Sequence, residues 1–165
     1  MPFMIRVFNS RPVGPLKPHE ILAAITESNY QTHCRQYRLD PALIAPGLER
    51  LGVLAAPDAE APFFTVVYRP DGERPIVVSF QDWDSNKQPL ESGLPPAALQ
   101  EAFLSTVQLV SIELAEDQLQ DLGLLLAYEL ARWAAVQGRG IIQALDGRWY
   151  RLNAHKAFLP VGETE

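Results

Sequence analysis

The residues whose types and spacing come closest to a chemical site are Asp82-Trp83-Asp84, with Glu91 shortly after them. Carboxylates on one polar stretch can hold a divalent cation through oxygen ligands. The glycine at the sharp turn and the terminal glutamate of an EF-hand are not in register here, so the sequence assigns no metal ligand. Acid/base catalysis by paired carboxylates needs two different environments, which a sequence does not display. A tryptophan between two acids does pair charge with an apolar anchor of the type enriched at binding hot spots. Asp82, Trp83, Asp84 and Glu91 are therefore expected to bind a partner, with Trp83 as anchor and the carboxylates steering it. The competing reading buries Trp83 at a sheet edge.

His19, His33 and His155 stand far apart and none belongs to an HExxH run, which places two zinc-binding histidines one helical turn apart. Cys34 follows His33 directly, and neighbours on a helix point about 100° apart, too far for a base to activate the thiol. Gly138-Arg139-Gly140 follows a helical pattern instead of opening one, so it reads as a helix end and not as a phosphate cradle. No catalytic residue, metal or cofactor is assigned, and the expected class is non-enzymatic. The alternative is a small hydrolase or metal-dependent enzyme, which would need the loop carboxylates to converge with one of the histidines.

Charge adds the strongest compositional clue. The chain of 165 residues has a formal net charge of −6, with 47% hydrophobic and 21% charged residues. Residues 81–131 hold nine acidic side chains against Lys87 alone. Such a field repels a nucleic-acid backbone and attracts a basic protein. The plainer explanation places these acids at helix starts and on solvated faces. No apolar run reaches the roughly 18 residues of a spanning helix, and the amino terminus lacks a signal-peptide pattern, so a cytoplasmic protein is expected. The single cysteine excludes an intrachain disulfide.

These residues must be positioned by an α+β domain. Phe3 to Phe8 reads as a strand, and His19 to Ser28, Asn29 to Arg38 and Asp40 to Leu51 as helical segments, the last capped by Asp40-Pro41 with Leu43, Ile44, Leu48 and Leu51 inward. Phe63 to Arg69 and Arg74 to Phe80 flank Pro70-Asp71-Gly72-Glu73 and predict a hairpin. Gln81 to Leu94 reads as the longest loop, Pro95 to Leu104 as a short helix and Thr106 to Leu114 as a strand. From Asp117 onward, Leu119, Leu122, Leu126, Leu130, Trp133 and Ala134 trace a helical stripe. Leu124, Leu125, Ala127 and Tyr128 widen that stripe past a half-cylinder, so the helix is expected to be covered on two sides. Gly138 and Gly140 end it. Ile141 to Leu145, Asp146-Gly147 and Arg148 to Leu152 predict a second hairpin, and Ala154 to Glu165 a tail. The whole predicts one domain, an antiparallel or mixed sheet with helices packed on it.

The run from Leu130-Ala131 through Gly140-Ile141-Ile142 to Asp146-Gly147-Arg148-Trp149-Tyr150 resembles an ending seen in small bacterial proteins of uncharacterised or immunity type. The resemblance covers the last quarter of the chain and implies a protein that neutralises a cognate toxin by binding it. It carries over no catalytic residue. Under this reading the partner is a basic protein, a toxin domain, met through the acidic segment; neither nucleic acid nor membrane is implied. A homodimer through a sheet edge or a tryptophan is a third reading.

Overall fold

The computed structural model describes residues 3–27, 30–56, 62–84 and 94–162. Its strands are β1 (Phe3–Asn9), β2 (Gly52–Ala56), β3 (Phe63–Val67), β4 (Ile76–Asp82), β5 (Gln108–Leu114), β6 (Gly140–Gln143), β7 (Trp149–Leu152) and β8 (Phe158–Val161). Its helices are α1 (Pro18–Thr26), α2 (Tyr30–Tyr37), α3 (Pro41–Glu49), α4 (Gln100–Leu104) and α5 (Leu122–Gly138). The strands form one eight-stranded sheet in the order β2-β3-β4-β5-β1-β6-β7-β8. Every pairing is antiparallel, so the expected α+β architecture is present in its antiparallel form.

Strand alternation sorts the apolar residues into two cores. Ile5 and Val7 of β1, Val110, Ile112 and Leu114 of β5 and Ile142 of β6 face the layer formed by α1, α2, α3 and α5. Phe8, Leu109, Ile141 and Trp149 face the other way and pack with Leu99 and Phe103, the latter on α4. The α5 stripe is buried as its spacing requires: Leu122, Leu126, Leu130 and Ala134 are at most 2% exposed. The other flank of α5 meets α1, α2 and α3, which is why its apolar surface exceeds one stripe.

Local signals held where a residue type had a mechanical role. Asp40 Oδ1 accepts a hydrogen bond from the Ala42 N–H at 2.9 Å, with Pro41 opening α3. The helix continues through Pro46. Both expected hairpins form, Phe64 pairing with Val78 and Gln143 with Trp149.

Four expectations are corrected. Leu43 is 72% exposed, because the inward face of α3 runs Ile44, Gly47, Leu48 and one residue lies a third of a turn off it. Gly52 does not merely end a helix: it starts β2, which pairs with β3. The segment after Ala154 is not only a tail, since β8 pairs with β7 from Leu152–Phe158 to Trp149–Val161. Finally, the residue that stops α5 in the left-handed conformation is Arg139, at φ 52°, and not a glycine.

Candidate functional site

The Asp82-Trp83-Asp84 stretch emerges from the end of β4. Asp82 pairs in register with Gln108 of β5, and the Trp83 N–H donates to the Val107 carbonyl at 3.0 Å. Asp82 follows Phe80 by two residues and is exposed, while Trp83 turns to the α4 face. The indole is half-buried there, edge-on to Phe8 at 5.6 Å and to Phe103 at 6.4 Å between ring centroids, and its buried N–H has no acceptor among the described residues. Trp83 is thus mainly a member of the smaller core, and only part of its ring meets solvent. Asp84 is half-buried and Glu91 lies outside the described residues. Beside this strand end, the corner between α4 and β5 exposes Leu104 (62%) and Val107 (43%), with Glu101 exposed on α4.

The acidic segment is not uniformly free. Arg69 donates to Asp121 Oδ2 through Nη2 at 2.7 Å and through Nε at 3.1 Å, and to Asp117 Oδ2 through Nη1 at 2.8 Å. The Tyr68 hydroxyl and the Gly123 N–H both donate to Asp121 Oδ1, at 2.8 and 2.7 Å. Gln118 Nε2 donates to the Tyr68 hydroxyl at 3.2 Å and to the Arg74 carbonyl at 2.6 Å. This network ties the β3–β4 turn to the start of α5. Burial, and next the bond to Asp121, push the Tyr68 phenol well above its ordinary range. The guanidinium of Arg69 holds the Asp117 carboxyl below the usual carboxylate range.

A second constellation joins residues that the sequence reading kept apart. On α5, Leu125, Tyr128, Glu129 and Arg132 share one face; on α2, His33, Gln36 and Tyr37 do the same. Together with Tyr150 of β7 and Phe158 and Pro160 of β8 they enclose a cleft of about 480 Å³. Glu129 is only 6% exposed, and a carboxylate so placed must be matched by charge and hydrogen bonds. Its Oε1 lies 2.7 Å from His33 Nε2, and Arg132 Nη1 donates to both its oxygens, at 2.6 and 2.9 Å. Aromatic rings form the walls. Tyr37 and Tyr128 stack at 5.6 Å with 13° between planes, and Phe158 stands edge-on to Tyr128 and Tyr150. The Arg132 guanidinium lies over the Phe158 ring, 5.1 Å from its centroid.

The three histidines differ in setting. His19 and His155 are exposed, while His33 is the one drawn into this cleft. Cys34 turns away from it into the main core, where burial, and next the field of Asp40, push its thiol pKa up and keep it protonated. Among the described residues no group of three or more histidine, cysteine, aspartate or glutamate side chains is arranged to hold a metal ion. Likewise, none of the described helices is long and apolar enough to cross a membrane. The sequence signal that could have located the cleft is Glu129 itself, a charge set between Leu126 and Leu130 in the longest of the described helices, since a polar residue on a buried face is the informative exception. No protein-family model, no curated protein and no solved structure matches the chain.

Proposed function

We propose that the protein is a non-enzymatic binding protein of immunity type, which neutralises a basic partner such as a toxin domain by covering it. The observation that supports this is the strand end at Asp82. There exposed apolar side chains, Leu104 and Val107, adjoin exposed carboxylates, Asp82 and Glu101, on a backbone fixed by the β4–β5 pairing. Apolar contact supplies affinity in such an arrangement, and the surrounding negative charge accelerates approach of a basic surface. Asp84 belongs to the same end. Asp117 and Asp121 do not serve this role, because Arg69 and Arg74 already engage them.

The test is capture from native extract with the full chain as bait, followed by association kinetics with the captured protein. A basic partner is expected, with an on-rate that falls as salt rises and falls again in Asp82→Asn/Asp84→Asn. An unchanged on-rate in that variant, or a partner that is not basic, overturns the reading.

A further inference from the structure

On the face of the sheet turned away from the main core, α4 covers only the part around Phe8, Leu109, Ile141 and Trp149. Toward β2 that face is open. The strand neighbours of Arg6, Phe63, Val77 and Glu113 all lie in the main core, so these four side chains point away from it, and Leu54 does the same between Val53 and Ala55. Two of them are charged. Of the three half-buried arginines among the described residues, Arg69 and Arg132 are each held by carboxylates, whereas Arg6 makes only a 3.9 Å contact from Nη2 to the Met4 sulfur. Its remaining nitrogens are open to solvent, unlike the buried Nε of Arg132. Glu113 is half-buried as well, and it forms no ion pair with a described residue.

The ladder makes these two charges diagonal neighbours, since Arg6 pairs with Ser111 and Met4 with Glu113, which sets their Cα atoms roughly 7 to 8 Å apart. No ion pair joins them within the chain. Each has lost part of its hydration without gaining a counter-charge, on strands that are fixed by pairing on both sides. This pattern selects what covers the face. A purely basic surface meets Arg6 and is repelled; a purely acidic one meets Glu113. A second copy of the chain carries both charges in the same arrangement. A two-fold axis running across the strands, between the row of Arg6 and the row of Glu113, turns each of these rows onto the other in the second copy. The second copy's α4, which stands on the row beyond Arg6, then comes to lie beyond Glu113, where an open groove of about 420 Å³ adjoins Val77 and Glu113. Leu54 and Phe63, both exposed, add apolar contact toward the β2 side. From strand spacing and rise, the open part of the face measures about 24 by 20 Å, on the order of 500 Å² from each copy. A total of roughly 1,000 Å² stands at the lower limit of a specific interface, so the contact is weak and reversible.

We propose that the open sheet face from β1 to β2 is the contact of a two-fold homodimer, in which Arg6 of each copy pairs with Glu113 of the other.

The experiment is sedimentation of the full chain from about 10 µM to about 1 mM, with amide spectra followed over the same dilution series. The mass is expected to rise toward that of a dimer, with half-association on the order of 100 µM, and the association should weaken as salt rises. Arg6→Glu and Glu113→Arg each place like charges opposite one another and should weaken association at least about tenfold. The variant carrying both exchanges restores the opposite pairs and should return to within about threefold of the parent. In the unaltered protein, dilution should move amides of β1, β3, β4 and β5. A parent that stays monomeric at about 1 mM overturns the proposal, as do folded single variants that associate like the parent or a folded double variant that associates no better than the singles. Shifts confined to β2, which mark pairing at the strand edge, or to elements outside this face overturn it too. The dilution series uses the unaltered protein, so it decides the matter even if a variant fails to fold.

Discussion

At Gly138 and Gly140 the absence of a side chain is a matter of room. A Cβ at 138 would sit 2.2 Å from Asn9 Cγ, and one at 140 would sit 2.1 Å from Asn9 Oδ1 and 3.0 Å from the Phe8 carbonyl oxygen. The two glycines let β1 pass close under the end of α5, while Arg139 between them takes the left-handed turn that a glycine would usually take. Asp117 shows how a single charge works in the opposite way, by contact. It accepts from Arg69 at 2.8 Å and from Arg74 at 3.4 Å, and its folded pKa is lowered accordingly. A lowered folded value means that the unfolded chain takes up the proton first as the pH falls. The contribution is therefore fully present above the ordinary carboxylate value near 4 and disappears as the pH drops through the folded value. Asp117→Asn should lower the urea midpoint at about pH 7, and the difference from the parent should vanish once the pH has fallen through the folded value. A difference that persists undiminished in acid would show that the Asp117 contact acts through something other than its charge.

Among the elements, α5 carries the most packing. Leu126 is fully buried between the sheet and the other helices, so Leu126→Ala removes volume from a site with little room to collapse. The expected cost is roughly 2 to 5 kcal/mol, read from chemical denaturation. A loss below about 1 kcal/mol would contradict the burial of that face. This helix and the two hairpins were legible in the sequence because long periodic stripes and turn residues report local rules. The edge strands were not. Gly52–Ala56 is short, with glycine and alanine at three of its five positions, and β8 contains Pro160, which is tolerated only because an edge strand has one side without ladder bonds. Leu43 misled because apolar residues are common on surfaces, and only register separates it from Ile44. The Asp82 stretch was placed by its residue types, yet Trp83 was expected as an anchor and is largely held by Phe8 and Phe103. The pairing of His33 with Glu129 was not legible because it is made by the docking of α2 on α5, and no local pattern encodes it.

For the molecule as a whole, the two ends of the sheet are unequal. β8 carries Pro160, whose ring removes a backbone donor, whereas β2 has neither a proline nor a charge and presents Leu54 at 66% exposure. Unprotected edges are templates for pairing with another chain. Any self-association is therefore expected at β2: sedimentation should show mass rising with concentration for the parent and not for Leu54→Lys. If the lysine variant associates as readily, β2 is not the contact. The order of the strands has a further consequence for how the chain is made. β1 lies inside the sheet, and its two neighbours are β5 and β6, which come only at Gln108–Leu114 and Gly140–Gln143. During synthesis Ile5, Val7 and Phe8 leave the ribosome well before either of the strands they pair with. A nascent chain halted before residue 108 lacks both strands that pair with β1, so the apolar side chains of β1 stay without those partners until β5 and β6 arrive.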